Sequence, residues 1–89
     1  MRYLARVSVV PKKAILDPQG KAVQASLHSL GYDEVRDVRL GKLILVRLEA
    51  QSPDSARERV DEMCRRLLAN EVIEDYEFEL EEDGTCGGG

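Results

Sequence analysis

Two dipeptides, Asp17-Pro18 and Ser52-Pro53, most constrain what this 89-residue chain can fold into. In each, a side chain able to accept from free backbone amides precedes a proline. Proline loses nothing at the first helical position, because that amide has no partner there anyway. Each pair therefore predicts a helix start. The first helix runs through "PQGKAVQASLHSLGY", with Val23, Leu27 and Leu30 as its buried stripe and Gly31 in the left-handed closing position. The second runs through "PDSARERVDEMCRRLLAN", with Ala56, Val60, Met63, Cys64, Leu67 and Leu68 on one face and Asn70 closing it. Asp61 to Arg65 and Glu62 to Arg66 are acid-before-base pairs four apart on its outer face.

Strand patterns fill the spaces around these helices. "YLARVSVVPK" places Tyr3, Ala5, Val7 and Val9 on one side, with Leu4, Arg6, Ser8 and Val10 on the other, and Pro11 ends the ladder. "VRDVRLGKLILVRLEA" reads as two strands joined by a tight turn near Gly41. In the second of them Ile44, Val46, Leu48 and Ala50 line one face, while Leu43 and Leu45 line the other. "IEDYEFELEE" alternates Tyr76, Phe78 and Leu80 with Glu77, Glu79 and Glu81, a pattern suited to an edge strand that must avoid wrong pairing. The expected order is β-α-β-β-α-β. That predicts an α+β, ferredoxin-like two-layer sandwich, with a four-stranded antiparallel sheet and both helices on one face. Residues 1–81 form the expected single domain, and 82–89, an acidic and glycine-rich tail ending in "DGTCGGG", the expected disordered segment.

Charge narrows the function classes. A net charge of −4 argues against a nucleic-acid surface, which needs clustered excess Lys and Arg. An RNA-reading sheet would also need exposed aromatics on central strands. No apolar run approaches a membrane span, and "MRYLARVSVVPKK" alternates instead of forming a signal-peptide core, so the expected location is the cytoplasm. Cys64 belongs to the second helix's core stripe. Cys86 lies in the tail, and the two are too far apart for a metal knuckle or redox pair.

No catalytic constellation emerges. Gly20-Lys21 invites comparison with a phosphate loop, G-x-x-x-x-G-K-[ST]. Ile15 stands where the first glycine belongs and Ala22 where the magnesium-binding hydroxyl belongs, so the stretch reads as a capped helix. Gly41-Lys42 fails in the same way, with Arg36 and Leu43 at those positions. His28, the single histidine, has no sequence-placed nucleophile, and the carboxylates of residues 74–83 read as a solvated strand face. Catalytic, cofactor-binding and metal residues are accordingly expected to be none.

An asymmetry between the helices points to association. The second helix carries a dense charged face, Arg57 to Arg66. The first shows Gln19, Gln24, Ser26, His28 and Ser29, with Lys21 as its only charge. Low charge density suits the core of an interface. The sheet face away from the helices would carry Leu4, Val10, Leu43 and Leu45, seldom left wet in a small domain. The candidate interface is thus Gln19, Lys21, Gln24, His28, Leu4, Val10, Leu43 and Leu45.

The strings "LDPQGKAVQASLHSLGY", "VRDVRLGK" and "MCRRLLANEVIEDYEFEL" resemble the PurS family, the small subunit of phosphoribosylformylglycinamidine synthase, over residues 1 to about 81. Glu71, where many relatives have proline, and the tail depart from the pattern. The resemblance implies a subunit without an active site of its own. It would form a homodimer or tetramer, and bridge a large synthetase subunit and a glutaminase subunit in the fourth step of purine biosynthesis. The complex would convert formylglycinamide ribonucleotide to the amidine with ATP, magnesium and glutamine, while the small subunit itself bound no cofactor. A ferredoxin-like module binding a small regulatory molecule is the alternative. A sulfur carrier with a glycine terminus is a third reading, disfavoured by two helices of similar weight.

Overall fold

The computed structural model describes residues 1–83. Its elements are β1 (Arg2–Pro11), α1 (Pro18–Ser29), β2 (Lys42–Glu49), α2 (Pro53–Met63) continued by a wide turn of π-helix (Cys64–Leu68), and β3 (Glu74–Glu82). Both expected caps form. Asp17 accepts from the Gly20 amide at 3.0 Å, and Ser52 accepts from the Ser55 amide at 3.1 Å. Gly31 takes φ 97°, the left-handed value expected after α1.

Among the described residues the sheet has three strands, not four, in the order β2-β1-β3, with both pairings antiparallel. Ala5 sits between Val46 and Leu80, Val7 between Ile44 and Phe78, and Val9 between Lys42 and Tyr76. This register puts Ala5, Val7 and Val9 at the centre of the core, fully buried with Val60 and Cys64 of the second helical segment. Tyr76 ties the layers together: its hydroxyl donates to Asp61 Oδ1 at 2.5 Å. That bond, with the desolvation around it, pushes the phenol up to about 12.

The missing strand is residues 35–40. The sequence reading folded it back on β2 through a turn at Gly41, and that turn does not exist. Gly41 has no positive φ. A Cβ there would lie 2.3 Å from the Val9 carbonyl oxygen and 2.7 Å from Val10 Cγ1, so this glycine serves close backbone approach. The chain reaches β2 without reversing.

Two further expectations fail locally. The stripe on α1 is not buried: Val23 is 37% and Leu30 74% exposed, and the only buried residue of this helix is Gly20. Both helices therefore do not cover one face; α2 alone packs on the sheet, against β1 and β3. In the π-helical turn the Ala69 amide reaches the Cys64 carbonyl at 3.0 Å, one residue further than an α-helix allows. The wider turn throws Leu67 outward, 83% exposed, and brings Ala69 into the core. Asn70 does not close this helix in a left-handed conformation. It makes a side-chain turn instead, its Oδ1 accepting from Val72 at 3.1 Å.

At the C-terminal end β3 includes Glu82, and the Asp83 amide donates to the Arg2 carbonyl at 2.8 Å, so the folded unit extends past residue 81. The rest of the expected disordered tail, including Cys86, lies outside the described residues.

Candidate interaction surfaces

Two surfaces collect the residues singled out by sequence. The first is a unit built from α1 and the segment that follows it. Positions 17, 20, 24 and 28 share one strip of a helix with 3.6 residues per turn. Asp17 Oδ2 accepts from the Leu40 amide at 2.9 Å. Gly20 lies so close to the Val38 carbonyl that a Cβ would sit 2.2 Å from its oxygen. Gln24 Nε2 donates to the Arg36 carbonyl at 3.3 Å, and His28 Nε2 stands 2.7 Å from the Val35 carbonyl. A carbonyl only accepts, so His28 carries its proton on Nε2.

These contacts fall in reverse order along residues 35–40. Eleven residues of helix, about 16 Å, are matched by five of the segment, about 17 Å if extended. The segment is therefore extended and runs antiparallel alongside α1, outside the sheet. Its far end is anchored by Arg39, whose Nη1 donates to the Pro11 carbonyl at 3.0 Å. Backbone donors from Gly20 and Leu40 hold the Asp17 carboxyl below its usual range. Gln24 and His28 thus grip their own chain, and Gln19 and Lys21 remain exposed on the helix surface. Lys21 lines an open groove of about 280 Å³ with Lys13, Leu16, Asp17 and Arg39.

The second surface is the sheet face away from α2. Leu43 and Leu45 are exposed there, at 62% and 56%. Val10 is half-buried. Leu4 is only 9% exposed, lying between Arg47 and Glu81 in register. The Arg6–Glu81 ion pair at 2.9 Å crosses this face; it holds the Glu81 carboxyl down and the Arg6 guanidinium up. The structure does not bring the two groups of candidates together: Leu4, Val10, Leu43 and Leu45 belong to the sheet, Gln19, Lys21, Gln24 and His28 to α1.

Sequence reasoning missed the Tyr76–Asp61 link and the helix-to-segment bonds of Gln24 and His28. The first had no signal. The second was hinted at by the four-residue spacing of the two side chains on a helix of low charge. Among the described residues no three His, Cys, Asp or Glu side chains gather as a metal site would require. Cys64 is buried in the core, and burial raises its thiol. Among the described residues no helix is long and apolar enough to cross a membrane.

The family profile of PurS, described as phosphoribosylformylglycinamidine (FGAM) synthase, matches residues 4–82. The chain belongs to the PurS family. The Bacillus subtilis phosphoribosylformylglycinamidine synthase subunit PurS is 51% identical over 80 residues, covering 90% of this chain and 94% of that protein. The solved structure of Thermus thermophilus PurS superposes with a TM-score of 0.81 at 42% identity, covering 92% of this chain and 98% of that one. A structure of PurLQS from Thermotoga maritima contains a chain superposing with a TM-score of 0.82 at 30% identity, covering 91% of this chain and 99% of that one. These matched shares leave too few residues out to omit both α1 and the segment after it.

Proposed function

We propose that this chain is the small assembly subunit of a phosphoribosylformylglycinamidine synthase in purine biosynthesis, acting in the cytoplasm. It bridges a large synthetase subunit and a glutaminase subunit, and supports the assembly through which ammonia passes from one to the other. It works as a homo-oligomer. ATP, magnesium and glutamine are handled by the larger subunits; this subunit binds none of them and contributes no catalytic residue.

The observation that carries the reading is family membership over residues 4–82, at 51% identity to a protein named as this subunit. The surface supports it physically. A domain this small exposes Val23, Leu30, Leu43, Leu45, Leu67 and Val72, apolar area of the kind that other subunits cover.

Reconstitution tests it. The chain is mixed with the synthetase and glutaminase subunits, and glutamine-dependent amidine formation is followed with and without it. Activity that requires the chain, with the chain alone inert, supports the bridging role. Full activity without it, from correctly folded partners, removes that role and brings a regulatory small-molecule module forward.

A further inference from the structure

We propose that the groove between residues 13–17 and residues 37–39 receives an acidic segment of a larger subunit, with Lys13 and Lys21 meeting its carboxylates and Leu16 packing on an apolar neighbour within it. This deepens the assembly role proposed above and rests on it.

The chain is acidic overall, at −4, yet its lysines are not spread among its acids. Lys12 and Lys13 follow the end of β1, Lys42 opens β2, and Lys21 stands at the start of α1. All of them gather where β1 ends and β2 begins. Two cations there are already engaged. Lys12 pairs with Asp75 at 2.6 Å. Arg39 stands 3.5 Å from Asp37 and donates to the Pro11 carbonyl. Lys13 and Lys21 differ. Both are exposed, and among the described residues neither side chain has an ion-pair or hydrogen-bond partner. At the start of a helix a cation also opposes the dipole, so helix stability does not account for Lys21. Both lysines line the same groove of about 280 Å³.

The groove's own carboxylates do not satisfy these lysines. Asp37 faces Arg39, and the two oxygens of Asp17 accept from the Gly20 and Leu40 amides. The same arrangement disfavours a compact anion such as phosphate. A phosphate at a helix start is held by free first-turn amides. Here Pro18 has none, Gly20 and Gln19 donate to Asp17, and the Asp17 charge would oppose the newcomer. Lysines on long flexible stems suit carboxylates spaced along a chain, because they act as point charges with no fixed fork to match. The rest of the lining is apolar. Leu16 is 71% exposed, and Ile15 and Val38 are half-buried beside it. An acidic stretch that also carries an apolar side chain complements both features.

Residues 84–89 of the same copy cannot be the occupant. The Asp83 amide is bonded to Arg2, at the other end of β1 from Lys13. β1 is ten residues long and spans about 30 Å. Residues 84–89 reach about 20 Å at most. The carboxylates must come from another protein.

Calorimetric titration of the full chain into the synthetase subunit, and separately into the glutaminase subunit, tests the proposal. The wild type is expected to bind one of them, more weakly as salt rises from about 50 to about 300 mM. Lys13→Glu with Lys21→Glu, shown to be folded by circular dichroism, is expected to bind at least about tenfold more weakly at low salt. Lys13→Arg with Lys21→Arg, which keeps both charges, is expected to bind like the wild type. Wild-type affinity in the double Glu variant overturns the proposal and leaves the assembly role standing. So does binding that ignores salt, or an equal loss in the double Arg variant, because either would place the lysines' effect in shape. Inorganic phosphate that binds the wild type and not the double Glu variant, and competes with the subunit, also overturns it by assigning the groove to a small anion. A wild type that binds neither subunit removes the assembly role, and this inference with it.

Discussion

The amide of Leu40 donates to Asp17 Oδ2 at 2.9 Å, while Asp17 Oδ1 accepts from Gly20 at 3.0 Å, so one carboxylate both caps α1 and ties down the end of the segment that returns beside it. Its pKa is depressed by those donors. The stabilisation it gives is therefore present above the unfolded value near 3.8 and is lost as pH falls through the lower folded value. Asp17→Ala should lower Tm by a few degrees at pH 7. The gap between the two proteins should close below about pH 4. Thermal melts across pH 2.5–7 check this; a gap independent of pH would mean the carboxylate contributes through shape alone.

Tyr76 and Asp61 give the opposite sign. The phenol is raised to about 12, so its bond to Asp61 stabilises fully below the unfolded value of about 10 and is lost as pH rises from there towards 12. Tyr76→Phe should be less stable than the wild type at pH 8, and the difference should vanish near pH 12. Denaturant melts at pH 8, 10 and 12 measure it. An unchanged difference across that range would place the effect in packing of the ring.

Much of this fold is legible in the sequence because its signals are local. A cap plus proline marks both helix starts at Asp17 and Ser52, and strict alternation places Ala5, Val7 and Val9 inward and Leu43 and Leu45 outward. The error at residues 35–41 came from the same local logic. A glycine between two apolar runs reads as a hairpin turn, and nothing in the string separates that from a glycine chosen for close approach to Val9. The stripe of α1 is apolar, as its periodicity requires, but the chain's own sheet does not cover it. Periodicity shows which face of a helix is apolar and is silent on what, if anything, packs against it. The candidate interface residues divide accordingly: Leu43 and Leu45 are exposed as alternation requires, Leu4 is buried between its neighbours on β2 and β3, and Gln24 and His28 bind the chain's own carbonyls, a pairing no spacing rule reports.

The two ends of the apolar face of the second helical segment should respond very differently to truncation. Val60 is fully buried against β1, and Leu67 is thrown out by the π-helical turn. Val60→Ala should cost about 2 kcal/mol, or roughly 10 °C in Tm. Leu67→Ala should stay within about 0.5 kcal/mol. Chemical denaturation of both variants decides it. A large loss at Leu67 would mean that this side chain is covered in solution by a partner surface.

Gly41 offers the sharpest contrast between the turn reading and the structure. At a hairpin turn, alanine would be disfavoured by backbone conformation, and an Asn at the same position would be tolerated because Asn visits the left-handed region. Here the constraint is space: the atom a Cβ would meet at 2.3 Å is the Val9 carbonyl oxygen, a backbone atom held in the β1–β2 ladder that cannot swing aside. Gly41→Ala should therefore destabilise by about 1–3 kcal/mol, and Gly41→Asn should be at least as damaging. Equilibrium denaturation of the pair, at matched protein concentration because self-association would add to the apparent stability, reads the difference. An Asn variant near wild-type stability would restore the turn at Gly41. Two comparably destabilised variants would establish that this glycine carries the chain past β1 instead of back along β2.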